Sequence, residues 1–376
     1  MSLLKLVRSN TKHVFVKYND TQACIVSCRK LSIVPSVYDK DNPAPKFFSS
    51  GVQILLKRLT RPDFAKVFRK RTNGNVPVLR TPIYKFLTDE ELNVERQNAN
   101  KSADRLLQMP PVVKVLEPFE DVLAKDPALV GYDNSTYMFT DITFGIDNQH
   151  RIIIQRKPDG TLETCDRDIK KRLNQIYFPI PGRKIREPKV FSEQDKFDSL
   201  LEREKYEYIL DRACVQYEPD ERKYQEITSI TYQHVDMNSK FDLLRSTRHF
   251  GPLTFYLTWH HSMDNLMLEL VQNAAIREAV LLISLRHAIH ADVSNGEESN
   301  ALVSEIIPKP VQLTKPEILT EEDIKLDTKC TDIVDKYIKD SSAMKSQQAL
   351  ALQGFREYYQ QMVDLSRGLK KAHGTA

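Results

Sequence analysis

The sequence predicts an α+β fold that is mainly α-helical, with a small antiparallel β-meander in its N-terminal half and a helical bundle or stacked helical hairpins in its C-terminal half. Two observations lead to this prediction. Apolar residues recur at 3.6-residue spacing through most of residues 194–290, which is typical of packed amphipathic helices. In residues 137–164 the apolar period shortens to two, and Pro158-Asp159-Gly160 supplies a tight turn between short segments.

Residues 1–31 have the composition of a mitochondrial transit peptide, because six Lys and Arg accompany a single acid, Asp20, among many hydroxyl-bearing residues. The run RKLS at residues 29–32 resembles a matrix-protease cleavage pattern, so we predict that the mature chain begins near Ser32. A basic N-terminus without any targeting role is the alternative. N-terminal sequencing of the protein from the organelle distinguishes the two, since an uncleaved N-terminus would exclude processing.

Residues 32–87 are predicted to be a basic linker that contains one short helix at residues 52–59. Positive charge is concentrated at the front of the chain: residues 1–80 hold 16 Lys and Arg against four Asp, whereas the whole chain is only +4. Seven cations accompany Phe64 and Phe68 here, a composition suited to phosphate contacts and base stacking. A solvated helix face explains the same pattern, so both interpretations stay open. The cations are Lys57, Arg58, Arg61, Lys66, Arg69, Lys70 and Arg71.

Residues 88–193 are predicted to form an α+β domain around the small sheet. Thr88 followed by Glu91 is a capping-box signature, and Pro110-Pro111 is expected to end the helix that begins there. The other elements expected in this domain are strands at residues 137–144, at 151–155 and from Thr161, then a helix at 166–177 and a proline-rich irregular connection at 178–193.

Residues 194–290 are predicted to form a helical domain. Single helices are expected at residues 220–235 and 240–259. A further helix is expected to be apolar nearly all round, which indicates that it is buried inside a bundle. Its residues are the stripe Leu266, Leu270, Ala274, Leu281 and Leu285, with Ile276, Val280 and Ile283 on its other sides.

An acidic, proline-containing linker is expected at residues 291–319, followed by C-terminal helices at residues 320–376, the first capped by Thr320 with Asp323. Long connections without structure of their own are uncommon in compact domains. We therefore expect the isolated mature chain to be poorly stable, with residues 178–193 and 291–319 ordered by neighbours. Strong hydrogen-exchange protection of both connections in the free chain would contradict this expectation.

Composition and motifs exclude several classes of protein. The longest mainly apolar run is residues 279–285, seven residues that include Ser284, and it is far short of the ~18 residues that a membrane-spanning helix needs. The 11 glycines include no phosphate-binding loop and no dinucleotide-binding fingerprint, so no cofactor is predicted. Because the nucleophile-elbow and metalloprotease motifs are missing as well, no catalytic residue is predicted.

A metal site is not predicted either. Cys24 and Cys28 are spaced like metal ligands, but both lie in the expected transit peptide. His287 and His290 would share one face of a helix, yet no acid or cysteine stands at a matching position beside them. Ordinary polar or helix-end histidines are the better interpretation.

Two further groups of cations are candidates for contact with RNA phosphates. The first lies in a proline-bounded loop that could reach into a groove. The second is expected one turn apart on a helix, where phosphate, an acidic neighbour or helix carbonyls are alternative partners. The two groups are Arg183, Lys184 and Arg186, and Arg245 and Arg248.

Six segments, in this order, resemble a family of mitochondrial small-ribosomal-subunit proteins, the mitochondrion-specific family numbered twenty-two. The resemblance extends over roughly residues 50–290, and its most specific part is KFDLLRSTRHFG at residues 240–251. The other segments are residues 105–112 (RLLQMPPV), 137–144, 158–162, 177–185 and 216–220 (QYEPD).

The resemblance implies a structural protein of the mitochondrial ribosome in the matrix. Its implied partners are small-subunit ribosomal proteins and small-subunit rRNA, and it implies neither catalytic residues nor a small-molecule substrate. The alternative is a free mitochondrial RNA-binding processing or translation factor, which would co-sediment with the small subunit only in part. An RNA-modifying enzyme is a third class, but it would need a cofactor loop that the scattered glycines do not supply.

Overall fold

Helices make up most of the computed structural model, which describes residues 42–68, 84–114, 121–148, 150–290, 296–307 and 319–372. The helices before residue 180 are α1 (Ala44–Phe47), α2 (Ser50–Thr60), α3 (Phe64–Val67), α4 (Asp89–Leu106) and α5 (Arg167–Tyr177). Those after it are α6 (Lys189–Ser192), α7 (Gln194–Glu202), α8 (Tyr206–Gln216), α9 (Arg222–Met237), α10 (Phe241–Leu244), α11 (Phe250–Trp259), α12 (Asp264–Gln272), α13 (Ile276–His290), α14 (Gly296–Ile306), α15 (Glu321–Ser341) and α16 (Lys345–Ala372). The strands are β1 (Val122–Lys125), β2 (Tyr137–Thr140), β3 (Ile153–Arg156) and β4 (Thr161–Thr164). The mainly helical α+β class is therefore confirmed.

Helix starts follow the local signals in the sequence. The Thr88 Oγ1 accepts from the Glu91 amide at 3.3 Å, and the Thr88 amide donates to Glu91 Oε2 at 3.0 Å, which completes the predicted capping box of α4. In the same way, Thr320 Oγ1 accepts from the Asp323 amide at 3.2 Å at the start of α15. Helix α4 ends at Leu106, shortly before the proline pair.

The sheet has the strand order β1-β4-β3-β2 within the described residues, and all neighbouring strands are antiparallel. The predicted turn joins β3 to β4, with Gly160 at φ +79° and its amide donating to the Lys157 carbonyl at 3.0 Å. A Cβ at Gly160 would lie 1.9 Å from the Asp126 carbonyl oxygen, so only glycine fits this turn. The predicted meander β2-β3-β4 is thus confirmed.

The sheet differs from the prediction in two places. Strand β1 was not predicted, because all four of its residues are exposed and the sequence there lacks the alternation that marks a half-buried strand. The strand expected at residues 137–144 ends at Thr140. Asp141 stops it, since its Oδ1 accepts from the Thr143 amide at 2.9 Å and bends the chain, leaving Phe144 fully exposed.

The core of the helical region is centred on α13, which is apolar nearly all round, as predicted. The single helix expected from Leu266 to Leu285 is divided into α12 and α13, with Ala274 between them at φ +56°. Leu281, Leu282 and Ile283 are all fully buried although they point in different directions around the helix. Helices α2, α11, α12, α14 and α15 surround α13, and α16 packs on α12 and α15. One cluster of buried side chains therefore includes Phe47 near the N-terminus and Phe355 near the C-terminus.

The structure corrects two predictions for the helical region. The expected helix at residues 240–259 is interrupted between α10 and α11, where Ser246 adopts φ +61° and its amide donates to the Thr60 carbonyl at 3.0 Å. The expected linker at residues 291–319 contains α14. Ile306 of α14 is fully buried. The acidic residues of this segment make its apolar helix face difficult to recognise in the sequence.

Within the described residues, no helix combines the length and the apolar character needed to cross a membrane. The same part of the chain contains no group of three His, Cys, Asp or Glu side chains that could hold a metal ion. Cys24 and Cys28 lie outside the described residues.

Candidate nucleic-acid interface

Helix α2 carries the first predicted cations and is anchored by its apolar face. Ser49 caps the helix, and Val52, Leu55, Leu56 and Leu59 are buried at the 3- and 4-residue spacing of one helix face. Helices α11 and α13 cover that face. The opposite face presents Lys57 to solvent, whereas Arg58 is only half-exposed and burial lowers the pKa of its guanidinium.

Arg61 and Arg245 both bind one buried carboxylate, that of Glu278, instead of facing solvent. The Arg61 Nη2 lies 2.7 Å from Glu278 Oε2, and the Arg245 Nη1 lies 3.1 Å from the same oxygen. Arg245 also contacts Glu269 Oε2 through Nη2 at 2.7 Å. Burial raises the pKa of Glu278, although its ion pairs with the two arginines oppose this. Arg61, which follows α2, therefore holds the end of that helix against α13, whereas Arg245 joins the connection between α10 and α11 to α12 and α13.

Arg248 does not lie one helical turn from Arg245, because both residues belong to the connection between α10 and α11. The Arg248 Nη2 lies 2.9 Å from Asp211 Oδ1, and the buried His249 contacts the same oxygen through Nε2 at 2.8 Å. Of the alternatives stated for this pair, acidic neighbours in the same chain are what the structure shows.

The loop that follows α5 is fixed through its backbone. The Lys184 amide donates to Gln216 Oε1 at 3.1 Å, and Gln216 Nε2 donates back to the Lys184 carbonyl at 3.0 Å. Arg183 is turned inward, with its Nη2 2.7 Å from Glu218 Oε1. The side chains of Lys184 and Arg186 are exposed, so a rigid loop presents these two cations to solvent.

The segment after α2 presents aromatic rings. Phe64 and Phe68 stack with a centroid distance of 6.1 Å, and both are exposed. Lys66 donates through Nζ to the Asp242 carbonyl at 2.8 Å, which ties α3 to α10. The next predicted cations, Arg69, Lys70 and Arg71, lie outside the described residues.

Further cations on α5 were not singled out from the sequence. Arg167, Lys170 and Lys171 lie at positions i, i+3 and i+4, so they share one helix face. The spacing of these cations is evident in the sequence, but residues 166–177 by themselves predict only a helix. The sequence does not show what this face adjoins, which depends on the loop after α5 and on the connection between α8 and α9.

Together these features define a mainly helical protein in which most of the predicted cations that lie within the described residues form internal contacts and a few are exposed to solvent. A family model described as mitochondrial 28S ribosomal protein S22 matches residues 45–291, which is the chain from α1 through α13. The protein called small ribosomal subunit protein mS22 from Bos taurus is 33% identical over 261 residues, covering 69% of this chain and 71% of that protein. The Mus musculus protein of the same name has the same identity and coverage.

The chain belongs to the mitochondrial 28S ribosomal protein S22 family. The matched residues agree with the extent of the resemblance noted from the sequence. Helices α14 to α16 lie beyond the family model, although α14 and α15 pack directly on the matched helix α13.

Proposed function

We propose that this protein is a structural constituent of the small subunit of the mitochondrial ribosome and supports translation in the matrix. The observation that carries the proposal is the family match, which covers the helices that build most of the buried core. The role that we propose is structural and non-enzymatic. Its partners are neighbouring small-subunit proteins and small-subunit rRNA.

Sedimentation tests this function directly. In mitochondrial extracts separated on a sucrose gradient, we expect the protein to co-migrate with the small subunit at one copy per subunit, measured by quantitative mass spectrometry. A free RNA-processing or translation factor would appear mainly in the light fractions. That second distribution would refute the structural role and favour the alternative.

Contact with rRNA is proposed for the cations that the fold leaves in water. Lys57, Lys184 and Arg186 are exposed, in contrast to Arg61 and Arg245, which are bound to Glu278. Exposed cations release counterions when they meet phosphate, whereas a buried ion pair would first have to be broken. The exposed ring stack of Phe64 and Phe68 precedes residues 69–71, which supports base stacking beside that segment.

The salt dependence of RNA binding tests these contacts. Replacing Lys184 and Arg186 by Gln should flatten the log–log salt slope by about 1.4 to 1.8, because each lost phosphate contact removes ~0.7 to 0.9 released counterions. Replacing residues 69–71 by Gln should flatten it in the same way and reduce incorporation into the subunit.

A matched control is available on α15, where Lys336 and Lys339 are exposed but already paired with Glu298 and Asp335. The double Gln variant of these lysines should leave the salt slope unchanged. Equal effects of the α15 variant and the loop variant would show that only the net charge matters.

A further inference from the structure

Helix α4 is anchored at its carboxyl end. Ala103 is buried there, and the short helix α3 packs against α4. The chain that follows is fixed to the bundle, since a Cβ at Gly251 of α11 would lie 2.0 Å from Met109 Sδ. Further along, the Val113 carbonyl accepts from Gln225 Nε2 at 2.8 Å. This end of α4 therefore has a fixed place on the helical region.

The amino end of α4 is in water on all sides. Every residue from Tyr84 to Asn98 is exposed. Among the described residues no charged side chain of α4 forms an ion pair, so the i, i+4 pairs that support solvated helices are missing. A helix that buries no apolar face is marginal in water, because propensity alone rarely offsets the entropy of ordering the backbone. This end of α4 lacks the packing that would stabilise it.

An apolar row on α4 continues past the part that α3 covers. Leu92, Ala99 and Ala103 follow one another at spacings of seven and four residues, which places them on one helix face. Exposure rises along this row from 1% at Ala103, through half-buried Ala99, to 39% at Leu92. The same row is thus packed at one end and bare at the other.

Other apolar side chains lie beside the bare part of the row. Five of the eleven residues 84–94 are large, apolar and exposed: Tyr84, Phe86, Leu87, Leu92 and Val94. Phe86 exposes its whole side chain. Singly scattered apolar residues are ordinary on a surface, whereas a group of this density is typical of an interaction surface.

The charge of this segment selects the kind of partner. Residues 84–98 hold four acids against two cations. The helix dipole accounts for the acids of the first turn, but Glu95 lies beyond that turn. Phosphates would be repelled here, and so would a second copy of the same surface, whereas Lys or Arg of another protein would be attracted. The acids are Asp89, Glu90, Glu91 and Glu95, and the cations are Lys85 and Arg96.

We propose that residues 84–98, the α4 surface, bind a neighbouring protein of the small subunit that presents apolar side chains flanked by Lys or Arg. The inference rests on the proposed function, because the neighbour is a component of the ribosome. It deepens that function by assigning the α4 surface to protein, in contrast to the exposed cations Lys184 and Arg186, which are proposed to contact rRNA.

Competition for incorporation tests the apolar part of the α4 surface. A variant and the wild type are imported together into mitochondria, and quantitative mass spectrometry measures their ratio in the small-subunit fraction. Phe86→Ser combined with Leu92→Ser should lower the share of the variant about tenfold, because apolar contacts are lost. The matched control, Leu350→Ser with Leu365→Ser, alters two exposed leucines of α16 and should leave the ratio near that of the wild type. Equal effects of the two double variants would overturn the proposal.

Charge reversal distinguishes a basic protein from RNA as the occupant. Glu95→Lys should lower the share of the variant about tenfold, because a like charge then faces the partner. A rise would identify RNA and overturn the proposal, and so would an unchanged ratio. The control is Glu357→Lys on α16, since the Glu357 carboxylate accepts from neutral Gln353 at 3.1 Å and binds no cation within the described residues. Circular dichroism of the purified variants establishes that each is folded.

Hydrogen exchange shows whether the α4 surface is covered. Amides of residues 92–98 should exchange about tenfold more slowly or less in the small subunit than in the free full chain, relative to the amides of α13. Equal exchange in both would overturn the proposal. Absence of the wild type from the small-subunit fraction would instead refute the proposed function. If the wild type is present and the α4 variants compete equally well with it, this inference alone fails.

Discussion

The helical region and the sheet region bury opposite kinds of side chain. Around α13 the fully buried side chains are mainly aliphatic and aromatic, such as Leu281 and Phe255. In the sheet, Gln155 and Glu163 are buried and hydrogen-bonded across β3 and β4, while Phe139 on β2 stands about half exposed. The hydrophobic effect therefore stabilises the bundle through its interior, whereas much of the sheet's apolar surface stays in water.

The two regions also use charge differently. In the bundle, Arg277 on α13 is almost completely buried and binds Asp327 of α15 with Nε to Oδ1 at 2.6 Å. Tyr359 of α16 donates to Asp327 Oδ2 at 2.8 Å, so three helices meet at one carboxylate. In the sheet, the buried Glu163 is paired with Lys157, which reaches it from solvent. Truncation in the bundle is therefore expected to be costly, and truncation on the sheet surface much less so.

The largest effect is expected from Arg277→Met. It leaves the Asp327 carboxylate buried without its cation, which should lower the free energy of unfolding by about 3 to 5 kcal/mol. Urea denaturation measures the change. The control is Arg367→Met, which removes an exposed partner of Glu321 and should cost under about 1 kcal/mol. Equal costs would mean that the buried cluster is no more important than a surface pair.

The next largest effect is expected from Leu281→Ala. It should lower the free energy of unfolding by about 2 to 5 kcal/mol, because it opens a cavity at the centre of α13. Leu350→Ala on α16 removes the same atoms from an exposed position and should change stability by at most ~0.5 kcal/mol. Thermal and urea unfolding of the two variants give the comparison. A small loss for Leu281→Ala would show that the bundle relaxes around the missing side chain.

A smaller effect is expected from pH. Burial, followed by the charges of His261 and His290, lowers the pKa of His260 from 6.5 to about 4. The unfolded chain then takes up the proton first as pH falls, so this contribution to stability is complete above pH 6.5 and is lost between 6.5 and 4. His260→Gln should remove this dependence of stability on pH. The control His150→Gln, at an exposed position, should leave it unchanged.

Because Asp236 also changes stability with pH, the test must compare the pH profile of stability of the wild type with that of the variant. Burial raises its pKa from 3.8 to about 6, so its contribution to stability is complete below 3.8 and is lost as pH rises toward 6. The two slopes oppose each other between pH 4 and 6. Identical pH profiles for the wild type and His260→Gln would contradict the assignment to His260.

The smallest effect is expected on the sheet surface. Phe139→Ala should lower the free energy of unfolding by at most about 1 kcal/mol, because about half of the side chain is already in water. Ile153→Ala on the neighbouring strand should cost about 2 kcal/mol or more, since Ile153 is buried. If both cost the same, the comparison fails, and the outer face of the sheet would be covered in the free chain.

The candidate site shows how far sequence reasoning reaches. The division of the chain into six regions stays a prediction apart from residues 291–319, which contain α14. The cleavage near Ser32 and the low stability of the isolated chain also stay predictions. The basic character of residues 57–71 is evident from composition, but composition does not distinguish exposed Lys57 from Arg61, which is bound to a carboxylate 217 residues away. The charge pattern is local, whereas the partner of each charge is not.

The sequence by itself determined the mainly helical class, the caps at Thr88 and Thr320, the turn at Gly160 and the buried character of α13. Each of these follows from contacts within a few residues or from a periodic pattern along one element. Only the tertiary structure decided that α14 belongs to the core, that Arg245 is buried and that α4 is covered at one end only. These outcomes depend on which distant faces meet, because burial and ion pairing are set by the packing of elements far apart in the chain.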